Sequence, residues 1–223
     1  MSLLPLVLLL AGCPSAGKDS NAANTVVESK APKLSADSAY ALLKAQVAFG
    51  PRVPGTEGHE KQLQWMLQYL RSRADTVEQQ AFSYTTTGNV PLKLSNLFAR
   101  FNPNSPDRVL LIAHWDTRPT ADQDADPAKQ KQPIAGANDG ASGVALLMEI
   151  ANVLSRNKPP IGVDLLFVDG EDYGPSGEDM YIGAKHFSAN LPPGYRPLYG
   201  VLVDMIGDQN PVYKIESNSQ DLA

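Results

Sequence analysis

One cysteine, Cys13, stands in 223 residues, so the chain can build neither an internal disulfide nor a thiolate metal site. Histidine is almost as scarce: His59, His114 and His186 are the only three. Lys and Arg total 19 against 24 Asp and Glu, a net charge of −5, and no basic stripe is present. That gives no reason to expect a nucleic-acid partner. Outside a short leader, no apolar run approaches the length of a membrane span. What remains is 43% hydrophobic and 19% charged, which suits one globular domain with a sizeable core.

The setting of Cys13 explains it. Residues 3–10 are almost wholly apolar, and Leu10-Ala11-Gly12-Cys13 follows at once. The run is too short for a transmembrane helix but suits a signal-peptide core. A small-residue pair before cysteine resembles the bacterial lipobox, in which that cysteine is lipidated and becomes the mature N-terminus. No Lys or Arg precedes the run, a departure from the usual leader. The expected organisation is a lipoprotein signal peptide over 1–13, a flexible Ser/Ala/Asn/Lys-rich tether over 14–34, and a folded domain over 35–223. The expected location is a bacterial cell envelope, lipid-anchored and facing periplasm or exterior.

Within the domain, a Ser35 cap with Tyr40, Leu43 and Val47 predicts a helix ending at Gly50. Thr56 caps a second helix whose buried stripe is Leu63, Met66, Leu67 and Leu70, and His59 is expected at its surface. Strands are expected over 76–84, 92–101, 108–115, 163–169, 199–206 and 212–215. Residues 117–137 form a long polar loop, unusual in a compact domain and therefore expected to be functional. Residues 140–156 alternate small and apolar residues, as a helix packed closely on a sheet would. Another helix is expected from Ser176 to about Ala189.

Three of these strands are short, apolar and uninterrupted, the pattern of strands buried on both faces of a parallel sheet. Each leads into acidic residues: His114-x-Asp116, Asp169-Gly170-Glu171-Asp172, and Asp204. Asn138-Asp139-Gly140 opens a helix beside them. Ligands of open α/β sheets bind beyond the carboxyl ends of the strands. One histidine and several carboxylates therefore converge there, and a divalent cation is the expected means of holding them together. The spacing of His114 and Asp116 puts both side chains on one face. It suits two metal ligands, one ligand and its orienting partner, or a buried histidine held by a carboxylate. Asp139 alone is also compatible with a turn or a helix cap. Of the two acidic pairs, Glu171-Asp172 is assigned chemistry and Glu178-Asp179, beside Ser176, capping. Asp204 is expected inside an apolar strand, where a carboxylate needs a partner. Asp122, Asp124 and Asp126 fail the calcium-loop test, because Pro127 and Pro133 stand where Gly and Glu belong. His186 is expected to pack.

In this order the residues resemble the zinc-dependent M28 peptidase superfamily: His114-x-Asp116, Asn138-Asp139 before Gly140-Ala141-Ser142-Gly143, Glu171-Asp172, and Val203-Asp204-Met205-Ile206-Gly207. The chain is most similar to the animal-type glutaminyl cyclases and their bacterial relatives. That match rests on Ala113-His114-Trp115-Asp116-Thr117-Arg118-Pro119, Gly170-Glu171-Asp172-Tyr173-Gly174, Gly183-Ala184-Lys185-His186-Phe187 and Pro51-Arg52-x-Pro54-Gly55. The resemblance implies an α/β fold of the zinc-aminopeptidase, phosphorylase/hydrolase-like type, with a mixed, mostly parallel sheet and helices on both faces. It implies metal ligands at Asp139 and Asp172, with His114 as ligand of a second metal or left unmetallated. Catalysis falls to Glu171 as general acid/base and to Asp204, and substrate contact to Asp116 and Arg118. The implied reaction is conversion of N-terminal glutamine to pyroglutamate with one zinc. The alternatives are hydrolysis of N-terminal residues with two zinc ions, or an inactive peptide-binding lipoprotein. Peptide or protein N-termini are the implied substrates. The family's further zinc-binding histidine has no counterpart after Asp204, so the domain is expected to be C-terminally truncated.

Overall fold

The computed structural model describes residues 31–212. The expected leader, Cys13, most of the tether and most of the strand expected over 212–215 lie outside them. Among the described residues no helix is long and apolar enough to cross a membrane.

Five strands form one sheet in the order β1-β2-β4-β3-β5: β1 (Thr76–Thr85), β2 (Pro91–Phe101), β3 (Arg108–His114), β4 (Gly162–Val168) and β5 (Tyr199–Leu202). β1 pairs with β2, and β2 with β4, antiparallel. β4, β3 and β5 run parallel. The sheet is thus mixed, and its parallel half carries the acidic strand ends.

Helices cover both faces. α1 (Ala36–Ala48) starts at the Ser35 cap, whose side chain accepts the Ser38 N–H. Its inward residues are Leu42 and Gln46, while Tyr40 faces solvent, so the expected apolar stripe is rotated. α2 (Glu57–Arg71) buries Leu63, Met66, Leu67 and Leu70 as its spacing predicts. They pack with Leu97, Ala99 and Phe101 of β2, Leu165 and Phe167 of β4, and Val144, Leu147, Met148 and Ala151 of α3 (Ala141–Arg156). Each buried Leu or Met of this kind contributes about 1.5–3 kcal/mol. On the other face Phe98, Leu110, Leu166 and Val168 meet Phe187 of α4 (Ile182–Ala189). His186 stacks flat on Phe82 at 3.9 Å, a packing role as expected.

Three expectations change. His59 is buried, not at the surface. The helix expected from Ser176 is broken: a short 3-10 turn spans Gly177–Asp179, Tyr181 takes a left-handed conformation, and α4 begins at Ile182. The physical reason is that the first N–H groups of this helix find other acceptors. Those of Tyr181, Ile182 and Gly183 donate to the carbonyls of Glu171, Gly170 and Asp169. Finally, β5 stops at Leu202, and Val201 and Leu202 are exposed. Asp204 therefore follows the strand instead of lying buried inside it. Among the described residues β5 has a neighbour on one side only, so an apolar run there does not imply burial.

Candidate metal and catalytic site

The parallel register sets the site. His114 pairs with Val168 at the ends of β3 and β4, and the Trp115 N–H extends the ladder to the Val168 carbonyl at 3.0 Å. The segments 114–116 and 169–172 therefore leave the sheet at the same level. The Val203 N–H donates to the Ile112 carbonyl, which brings Asp204 to the same edge. Gly140 stands before α3 with φ of +83°, and a Cβ there would meet the Asp116 carbonyl and His114 Cε1 at 3.0 Å. Only glycine lets Asp139 and the helix start approach so closely.

His114 is at the centre. Its Nε2 lies 3.0 Å from Asp139 Oδ1 and 3.3 Å from Asp204 Oδ1, and its Nδ1 lies 3.6 Å from Asp116 Oδ1 and 3.8 Å from Glu171 Oε2. Both ring nitrogens are buried without a well-aligned hydrogen-bond partner among the described residues. Burial opposes a charge on this ring, but Asp116, Asp139 and Asp204 outweigh it and raise its pKa well above the ordinary value. One donor atom each from His114, Asp139 and Asp204 lie within 4.8 Å of one another. An imidazole and two carboxylates converging in this way, with the ring nitrogens otherwise unsatisfied, fit a zinc ion.

Asp116 is fully buried. Its Oδ1 accepts the Glu171 N–H and its Oδ2 the Asp172 N–H. Burial works against this carboxylate's charge; His114 and the two backbone N–H groups prevail and hold it below the usual range. Asp116, expected to contact substrate, thus lies without solvent exposure and faces the backbone of the acidic turn. The turn is held from the other side by α4, as described above. Asp169, also fully buried, accepts from the Ser95 N–H at 2.7 Å and lies 2.9 and 3.1 Å from His59 Nε2. His59 stacks on Trp115, 4.2 Å between centroids.

The turn presents Glu171 to His114. Burial pushes the Glu171 carboxyl up to about 7, with His114 opposing and Asp116, Asp172 and Asp204 adding. Asp172 is buried and shifted upward, first by that burial. One of its oxygens is engaged by Arg118 Nη1 at 2.5 Å, while Arg118 Nε and Nη2 hold Asp122 at 2.7 and 2.9 Å. Arg118 therefore ties the start of the 117–137 loop to the acidic turn. Asp204 is kept low chiefly by His114.

The structure thus gathers His114, Asp139, Asp204, Glu171 and Asp116, and places Asp172 beside them in an ion pair. It adds residues to which sequence reasoning gave no role here: His59 and Asp169 beneath the turn, and Arg52, which lies entirely buried under the loop. The helical phase of His59 with Leu63, Met66 and Leu70 was a usable signal for the first.

The profile of peptidase family M28 matches residues 96–223. Among solved structures, the glutaminyl cyclase of Bacteroides thetaiotaomicron bound to N-acetylhistamine superposes with a TM-score of 0.83 at 39% identity, covering 86% of this chain and 69% of that one. A Zn-dependent exopeptidase from Parabacteroides distasonis does so with a TM-score of 0.83 at 39% identity, covering 86% and 68%. The glutaminyl-peptide cyclotransferase of Bos taurus is 26% identical over 187 residues, 73% of this chain and 50% of that protein. The chain spans between 16% and 50% of the length of such curated relatives.

Proposed function

The chain belongs to peptidase family M28, and from that footing we propose that it serves as a zinc-dependent glutaminyl-peptide cyclotransferase. Asp139, with His114 and Asp204 in the same cluster, would hold the metal. Asp172 is a further ligand by resemblance, with Arg118 on one oxygen. One zinc is the proposed complement. When bound, zinc supplies polarisation of a substrate carbonyl.

The chain's own residues account for the proton movements. The α-amine of an N-terminal glutamine attacks its own side-chain carbonyl carbon, so nucleophile and electrophile are already joined. Glu171 removes the amine's proton and returns it to the departing ammonia. A carboxyl raised to about 7 is matched to both halves of that task at neutral pH. Asp116 aims Glu171 through the backbone.

The observation that carries cyclisation over hydrolysis is the Arg118 bridge. It fastens the long loop to the acidic turn, and a loop held at the cleft limits the water that would compete with the amine. The likeness to glutaminyl cyclases in sequence and structure supports the same reading. Aminopeptidase activity is the second reading, favoured by the family match and by the likeness to a Zn-dependent exopeptidase. Offering the full-length protein a glutaminyl peptide and a leucyl peptide separates them. A pyroglutamyl product with an intact leucyl peptide supports the cyclase, and rapid release of free leucine defeats it.

We also propose that Cys13 is lipidated and anchors the protein to a bacterial envelope membrane. The apolar leader, the lipobox-like tetrapeptide and the polar segment after it support this. Wild type should partition with detergent, and Cys13→Ala should yield soluble or uncleaved protein without lipid; unmodified Cys13 in aqueous wild type rejects the proposal.

A further inference from the structure

Arg52 lies between Pro51 and Val53 in the link from α1 to α2, away from every catalytic motif, and its side chain has no solvent exposure. Its hydrogen bonds all go to backbone carbonyls. Nη1 donates to Ala135 and, at 3.4 Å, to Gly50; Nη2 donates to Gly136 at 2.6 Å. Nε is buried without a partner among the described residues. A buried cation without a paired carboxylate is expensive to keep. Burial lowers its pKa to about 10, with the negative charges of Asp116 and Asp139 of the site opposing.

The contacts form a clamp. The Arg52 carbonyl accepts the Thr117 N–H at 3.1 Å, which fixes the first residue of the 117–137 loop. Its guanidinium fixes Ala135 and Gly136, at the other end. One residue therefore closes both ends of a loop of about twenty residues, whose free closure would carry a sizeable entropy penalty. The hold continues into the site. The Gly136 carbonyl also accepts the Ala141 N–H that opens α3, and Asp139 lies between the two. Gly136 has φ of +58°, and a Cβ there would collide with Thr117 Cγ2 and lie 2.9 Å from Arg52 Nη2. Thr117, Gly136 and Arg52 leave no slack.

We propose that Arg52 is a positioning residue of the metal site, clamping both ends of the 117–137 loop and thereby setting where Asp139 meets the metal. This rests on the metal-site reading above but not on which reaction the site performs. Arg52→Lys keeps the charge and cannot span three carbonyls. In the full-length protein it should weaken zinc binding about 10–100-fold in a chelator competition, as loss of a support behind a ligand does. It should also speed tryptic cleavage after Lys129 and Lys131. Gly136→Ala, which presses on the same clamp from the loop side, should do both as well and decides the matter if Arg52→Lys does not fold. Wild-type zinc affinity and loop cleavage in a folded variant, with only a lowered melting temperature, would overturn the proposal by reducing Arg52 to a stabilising residue. Neither readout uses substrate, so a failed cyclase assay leaves this test intact.

Discussion

The two oxygens of Asp116 cap the turn that carries Glu171, one accepting the Glu171 N–H at 3.0 Å and the other the Asp172 N–H at 3.2 Å. A carboxylate two residues from His114 therefore acts on the proposed proton carrier through the backbone, and links the end of β3 to the end of β4. Both acidic residues of the turn inherit their placement from it.

Glu171→Gln keeps the shape of the turn, because Asp116 holds main-chain atoms. It removes the group that exchanges protons. Turnover should fall about 10²–10⁴-fold with zinc content unchanged. Steady-state kinetics with metal analysis checks this, and loss of zinc would move Glu171 into the ligand set.

His59→Leu leaves the fully buried Asp169 carboxylate with the Ser95 N–H but without its side-chain partner. Removing one member of a buried pair typically costs about 3–5 kcal/mol. The double change His59→Leu with Asp169→Asn should regain a large part of that loss in urea unfolding. If the two effects simply add, the pair is not the supporting contact it looks to be.

Glu149 provides a pH test away from the metal. It accepts from the Ser35 N–H at 3.1 Å, from Ser38 Oγ and from Asn152 Nδ2, and so pins the start of α1 to α3. Burial opposes its charge, yet these donors hold it below the ordinary 4.5. With the folded value depressed, the native state binds fewer protons than the unfolded one between the two values. The stabilisation is present above about 4.5 and is lost as pH falls through the folded value. Glu149→Gln should flatten this acid limb and lower stability at neutral pH by about 1.5–3 kcal/mol. An unchanged acid limb in unfolding measured against pH would count against it.

Much of the site was legible because its residues stand at the ends of apolar runs. β3 and β4 have neighbours on both sides, so their composition reports burial faithfully. The same signature misleads at Val201-Leu202-Val203, since β5 pairs on one side only among the described residues. Hydropathy records what a strand could bury, not what lies beside it. The break before α4 was hidden for a different reason: its leading N–H groups bond to a turn ten or more residues earlier, which periodicity does not register. Arg52 belongs to no periodic element, and its importance arises only when residue 135 folds back over it.

The level pairing of His114 with Val168 has a consequence for how this chain can change. The sheet acts as a ruler, and side chains alternate faces at every step. Adding or deleting one residue inside β3 or β4 would leave composition almost untouched yet turn His114 or the Asp169 turn to the wrong side. A residue gained in the connection at 102–107, at the far end of β3, leaves that alignment alone. The site is therefore more tolerant of substitution along these two strands than of any change in their length.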